Sequence, residues 1–228
     1  APQPYATSYH APVLVEAVVD LLVTDPAGVY VDGTLGGGGH TAALLDRLGP
    51  GGRVVGIDQD ADAIREATVR IQQQRITELQ SGHPAPAGAS AAAKAAPSAT
   101  PSRVVALRGN FEAMPALLAD AGIAPGSVTG ILLALGVSSH QFDVPARGDA
   151  VRAAVPTKDE VKSLARVFQA LRIAVNDELG VLDRALEASL DLLAVGGRLA
   201  VLSYHSLEDR RVKQFLKSGT LDGKLKRD

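Results

Sequence analysis

The chain has 228 residues, 46% hydrophobic and 21% charged, with a formal net charge of −2 and no cysteine. That length supports one sizeable core, or one domain with a small appendage, and the near-neutral balance gives no general polyanion-binding field. Disulfides and thiolate metal sites are excluded, and no apolar run approaches a membrane span or a signal pattern, so a soluble cytoplasmic protein is expected.

Ala1 to Ser8 read as a loose polar lead-in. Val13, Leu14, Ala17, Val18, Leu21 and Leu22 then share one helix face, and Asp25-Pro26-Ala27-Gly28 turns the chain. Val29-Tyr30-Val31-Asp32 predicts a strand, followed by the glycine-rich turn from Gly33 to Gly39, with His40 and an apolar helix from about Thr41 to Leu48 behind it. Strand, glycine turn and helix form the entry unit of a nucleotide-binding α/β sheet, because glycine permits positive φ and close ligand approach. The first helical N–H groups supply unpaired donors there. A dinucleotide fingerprint would place a third glycine where Thr41 stands. Asp32, just before the turn, suits a cationic or hydroxyl-rich ligand such as the methionine part of S-adenosylmethionine better than a pyrophosphate.

Arg53-Val54-Val55-Gly56-Ile57-Asp58 reads as a buried parallel strand ending in an acid. Asp58 lies 22 residues beyond Gly36, near the spacing at which such an acid takes ribose hydroxyls; its other role is to cap a helix over Ala61 to Gln74. Residues 80–102 are low-complexity Ala, Pro, Ser and Gly, a flexible linker inside the sheet pattern. Val104 to Leu107 resume as a third strand, with Phe111 in the loop beyond it, either a lid on an aromatic ring or core. A helix follows from Met114 to Ala121, then a fourth strand from Ile131 to Gly136. Ser138, Ser139, Gln141 and Asp143 lie just past that strand, as substrate-facing groups or a solvated turn.

Asp149 to Arg166 form a short polar helix-like stretch. A long amphipathic helix is expected from Val167, with Phe168, Leu171, Val175, Leu179, Leu182, Leu186, Leu190 and Leu193 as its core stripe. Gly196-Gly197-Arg198 stop it, and Leu199 to Ser203 form the fifth strand. Tyr204-His205-Ser206-Leu207-Glu208-Asp209-Arg210-Arg211 open a last helix. His205 and Ser206 beside an acid do not make a hydrolase, since there is no nucleophile elbow and the groups share one loop. His, Asp and Glu never fall at zinc-ligand spacing on a helix face, so no metal is expected.

Six segments together resemble the bacterial ribosomal RNA cytosine-N4 methyltransferase family (MraW-like). They are His10-Ala11-Pro12-Val13-Leu14, VDGTLGGGGHT at 31–41, GIDQDADAI at 56–64, LGVSSHQFD at 135–143, FQALRIAVNDEL at 168–179 and GGRLAVLSYHSLEDRRVKQF at 196–215. The resemblance implies a Rossmann-like α/β methyltransferase fold, mostly parallel sheet flanked by helices. It also implies methyl transfer from S-adenosylmethionine to the N4 of a cytidine near the decoding site of small-subunit ribosomal RNA. The family's cofactor contacts fall on Gly38, Gly39, His40, Asp58, Phe111 and Gln141, with Ala134 where the family's LLDLG motif carries its acid. Asp32 is added from its place before the turn, and Asp143, Ser138 and His205 are the candidates for accepting the amine protons.

The implied organisation is a methyltransferase core over 1–148 and 168–228, with 149–167 as the remnant of a helical substrate-recognition insertion of about a hundred residues. The family's basic C-terminal tail is cut short here after Gly223. The expected partner is small-subunit ribosomal RNA or a ribosomal particle, with no membrane, and the protein a monomer or homodimer. Two alternatives stand beside this reading: a catalytically impaired S-adenosylmethionine- or RNA-binding relative, and an NAD-dependent oxidoreductase.

Overall fold

The computed structural model describes Tyr5, 12–81, 103–136 and 160–224, with the side chains of 73–81, 160–166 and 168 excepted. His10, Ser138, Ser139, Gln141, Asp143 and most of the 80–102 linker lie outside the described residues, as does 149–159 of the insertion remnant. The chain divides into two compact units, Ala1–Leu135 with Ala188–Leu202, and Gly136–Glu187 with Ser203–Asp228. No helix among the described residues is long and apolar enough to cross a membrane.

The first unit is an α/β sheet. Its elements are α1 (Val15–Leu22), β1 (Val29–Asp32), α2 (Gly39–Arg47), β2 (Arg53–Asp58), α3 (Ala61–Ser81), β3 (Val104–Arg108), a 3-10 turn (Phe111–Ala113), α4 (Met114–Asp120), β4 (Val128–Ala134) and β5 (Leu193–Leu202). The five strands run in the order β3-β2-β1-β4-β5, and every pair is parallel. Strands of such a sheet are buried on both faces, which is why β2 and β4 read as unbroken apolar runs. Tyr30, Val31, Val54, Ile57, Ile131, Leu132 and Leu133 are buried sheet residues, and Val18, Val19, Leu22, Leu44 and Leu48 pack into the same core. Burying one such side chain contributes about 1.5–3 kcal/mol. The lead-in is anchored at Tyr5, which packs against this cluster and donates its hydroxyl to Asp46 at 2.6 Å.

The order reverses between β1 and β4, and ligands of open α/β sheets bind at the carboxyl ends of strands at such a switch point. Asp32, Asp58 and Ala134 are the last residues of β1, β2 and β4. Three candidate positions far apart in sequence thus stand along one edge of one sheet.

The second unit carries α5 (Glu160–Val175), the first part of α6 (Glu178–Leu192) and α7 (Ser206–Ser218). The single long helix expected from Val167 is in fact two. Asn176 and Asp177 break it, with Asp177 in the left-handed region at φ 49°. A Cβ at Gly180 would meet the Asp177 carboxylate at 2.4 Å, so glycine there leaves room for that side chain. Arg172 closes the junction with a two-pronged contact to Glu178, at 2.6 and 3.0 Å. The expected stripe divides accordingly: Leu182 and Leu186 are buried, whereas Leu171 and Val175 are 51% and 81% exposed.

The start of the last strand also differs from expectation. The helix ends at Leu192, before the glycines, and Leu193 already pairs with Val128; the ladder then skips to Arg198 opposite Gly130. Gly196, at φ 82°, accommodates that irregularity rather than ending a helix. Pairing then continues to Leu202 opposite Ala134, and Ser203 is outside the strand.

Candidate cofactor site

Two hydrogen bonds join the glycine turn to the sheet edge on either side. Leu35 N donates to Ile57 O at 3.0 Å, and Gly36 N donates to Asp58 Oδ2 at 2.8 Å. The other oxygen of Asp58 accepts from Asp60 N at 2.8 Å. The capping role at the start of α3 belongs to Asp60, whose Oδ1 accepts from Asp62 N at 2.9 Å. Asp58 is thus a half-buried acid tied to the turn, each of its oxygens keeping a further lone pair. Burial raises its pKa above the ordinary carboxylate value, against the backbone donors that lower it.

Gly36 and Gly38 hold the left-handed backbone that the turn requires, at φ 48° and 73°. They differ in surroundings. A Cβ on Gly38 would meet the Cβ of Ala67 at 2.9 Å, so α3 backs the turn there; on Gly36 it would meet only Thr34 O, at 3.8 Å. The open side of the turn is therefore at Gly36. Gly38 is also the N-cap of α2 and offers no side chain to the first helical N–H groups. Arg70 reaches from α3 to the Gly37 carbonyl at 3.3 Å, and burial lowers its pKa.

Gly39 packs beneath Pro12, where a Cβ would come within 2.6 Å of the proline ring. His40 is buried, and its Nε2 donates to Val13 O at 3.0 Å. Pro12 and Val13 thus strap the N-terminal end of α2. Phe111 opens the 3-10 turn after β3, half-buried, and a Cβ on Gly33 would lie 3.2 Å from its Cβ. Gly38, Gly39, His40, Asp58 and Phe111 are brought around one turn.

Asp32 behaves differently from expectation. It is 1% exposed, with Oδ1 accepting from Thr34 N at 3.2 Å and Oδ2 from the buried Thr41 hydroxyl at 2.8 Å. Burial raises its pKa, opposed by the His40 charge and by these hydrogen bonds. Asp32 braces the turn from within, and the ligand contact expected of it is replaced by internal ones. Sequence reasoning missed Thr34, whose Oγ1 accepts the backbone N–H of Ala134 at 2.7 Å and so links the ends of β1 and β4. Its place after Gly33 in the turn was the only signal.

His205 belongs to the second unit, as the N-cap residue of α7. No group of three or more His, Cys, Asp or Glu side chains arranged to hold a metal occurs among the described residues.

The site fits a nucleoside ligand carrying a small polar tail. A half-buried acid at the end of β2 suits ribose hydroxyls, the open glycine turn admits close backbone approach, and Phe111 offers a ring face.

Comparison with known proteins gives a consistent result. A family model described as the MraW methylase family matches residues 7–85 and 148–225, leaving β3 and β4 outside the match. The ribosomal RNA small subunit methyltransferase H of Heliobacterium modesticaldum is 35% identical over 279 residues, covering 91% of this chain and 80% of its own. The protein of the same name from Chlorobium phaeovibrioides is 37% identical over 292 residues, covering 93% and 81%. Among solved structures, a putative methyltransferase from Streptococcus mutans in complex with SAH aligns with a TM-score of 0.51 at 18% identity, over 91% of this chain and 83% of that one. At that identity the likeness is one of fold, a Rossmann-like methyltransferase sheet.

Proposed function

This chain belongs to the MraW methylase family, and we propose that it binds S-adenosylmethionine at the ends of β1, β2 and β4 and methylates the exocyclic N4 of a cytidine in small-subunit ribosomal RNA near the decoding site. The observation that carries the cofactor assignment is the hydrogen bond from Gly36 N to Asp58. It ties the turn to the acid that would take the ribose hydroxyls, and the absent third glycine favours a sulfonium cofactor over a nicotinamide. The ribosomal RNA substrate rests on the names of the relatives, and N4 of cytidine on the resemblance of the motifs.

Gly38, Gly39 and His40 would line the methionine side, Phe111 the adenine, and Gln141 would complete the contacts. Bound there, the sulfonium supplies an electrophilic methyl carbon. The chain's contribution to an in-line displacement is mainly orientation, which can amount to about 7–11 kcal/mol of barrier. The amine lone pair is delocalised into the ring, so an acceptor for its protons helps to localise it; Asp143, Ser138 and His205 are the candidates. The chain leaves β5 at Leu202, three residues before His205. The base must be unstacked to react, which costs least in single-stranded RNA. Residues 149–167 would be the remnant of the RNA-facing insertion.

Ala134 favours a second reading, a relative that binds cofactor or RNA without turnover. The acid of the family motif is replaced there by a methyl group at the end of β4. Calorimetric titration tests the cofactor half: S-adenosylmethionine should bind and NAD should not, whereas NAD binding alone would overturn the assignment.

A further inference from the structure

The residues linking β5 to α7 contain a side-chain pair that the cofactor site does not use. His205 has extended backbone, φ −143° and ψ 160°, and its side chain makes no capping hydrogen bond to α7. Its Nε2 stands 3.0 Å from Glu208 Oε1, at ion-pair distance but outside the geometry of a direct N–H hydrogen bond. The Glu208 side chain is 7% exposed, and its Oε2 accepts the backbone N–H of Tyr204 at 3.0 Å. That bond is the backward half of a capping box, and it fixes the carboxylate in place. The His205 side chain is 13% exposed, and its Nδ1 is enclosed without a hydrogen-bond partner among the described residues.

Helix capping does not account for this arrangement. Ser, Thr, Asp or Asn would serve better at the N-cap, and an enclosed nitrogen without a partner is destabilising by about 1–3 kcal/mol. Electrostatics decides which nitrogen of the neutral ring carries the proton. A lone pair on Nε2 would face a carboxylate oxygen 3.0 Å away and be repelled, so the proton sits on Nε2 and the lone pair on Nδ1. A carboxylate holding an imidazole in one tautomer, with the other nitrogen as acceptor, is the logic of hydrolytic triads without their nucleophile.

We propose that Glu208 is a positioning residue that holds His205 in the Nε2–H tautomer, and that His205 Nδ1 accepts the proton released when the amine is methylated. This rests on the reading of the chain as an amine N-methyltransferase. The amine lone pair forms the bond to the methyl carbon, and the carbon–sulfur pair leaves with sulfur, which becomes a neutral thioether. The nitrogen, now cationic, gives one proton to Nδ1, and the imidazolium so formed stands beside the Glu208 carboxylate.

The tautomer can be read without activity, from long-range 15N–1H correlation of the imidazole rings in labelled protein. The wild type should show His205 as Nε2–H, and Glu208→Gln should shift it toward a mixture. In methyl-transfer assays, His205→Ala should lose about 10²-fold in kcat with KM little changed. Imidazole in solution should restore part of that loss, and the double variant should be no slower than His205→Ala alone. An Nδ1–H tautomer in an active wild type overturns the proposal, as does a folded His205→Ala that keeps wild-type kcat or that imidazole does not restore. A wild type that shows the Nε2–H tautomer but methylates no amine overturns the methyltransferase reading, and the proton-acceptor role falls with it.

Discussion

Thr34 Oγ1 accepts the backbone N–H of Ala134 at 2.7 Å, so the ends of β1 and β4 are joined through a side chain of the glycine turn. The bond goes to the backbone and does not depend on which side chain position 134 carries. The loss of the family's acid there therefore leaves the crevice's frame intact while removing one polar group from its wall. Thr34→Val should orphan the Ala134 N–H at a cost of about 1–3 kcal/mol. In a chain of this size each kcal/mol lowers Tm by about 2–4 °C. Calorimetric melting checks this, and Thr34→Ser should stay near the wild-type value.

Gly38 is constrained twice, by its positive φ and by the 2.9 Å approach that a Cβ would make to Ala67. Left-handed backbone alone costs a non-glycine residue roughly 1–2 kcal/mol, and the backbone of α3 stands directly behind the contact. Gly38→Ala should therefore lower Tm and weaken S-adenosylmethionine together. Gly122→Ala should cost only the backbone part, since its φ is 74° and nothing lies within 4 Å. Melting curves for the two variants separate strain from packing.

Asp58 ties the turn to β2 and carries the proposed ribose contact. Asp58→Ala releases the N–H groups of Gly36 and Asp60, each bonded to a charged acceptor, an interaction of about 1.5–3 kcal/mol. Affinity for S-adenosylmethionine, measured by calorimetry, should fall by more than about tenfold, equivalent to about 1.4 kcal/mol.

Asp32 gives the fold a pH dependence of definite sign. Burial raises its pKa above the model value of 3.8, so between that value and its raised one the folded chain binds more protons than the unfolded chain. Stability should fall as pH rises through that window and level off above it. Burial of Asp58 adds to the same trend. In Asp32→Asn, which keeps an acceptor for Thr34 N and a partner for the Thr41 hydroxyl, the slope should flatten in melting curves recorded from pH 4 upward.

Much of the sheet was legible because its signals are local. Val29–Asp32, Arg53–Asp58 and Val104–Arg108 are short apolar runs bounded by turns, and each stands within two residues of the expected place. The glycine turn, Asp58 and Phe111 followed from the same local grammar. What periodicity could not show was the interruption at Asp177, because the three- and four-residue spacing of leucines continues across a helix break. The start of β5 was misplaced for a related reason: Gly196 and Gly197 look like a helix stop, yet they relieve an irregular ladder opposite Val128 and Gly130. Asp32 was misjudged because sequence gives no depth. An acid beside a ligand turn and an acid beneath it read alike until Thr41, nine residues on, is seen to cover it.

The central claim is that this crevice transfers a methyl group despite Ala134. The most direct measurement gives the purified chain S-adenosylmethionine labelled in its methyl group and small ribosomal subunits lacking the modification, then identifies the labelled nucleoside by mass spectrometry. The account predicts label in N4-methylcytidine, with Ala134→Asp as fast or faster. Cofactor binding with no label in RNA, from both the wild type and Ala134→Asp, would contradict it and leave a binding protein in its place.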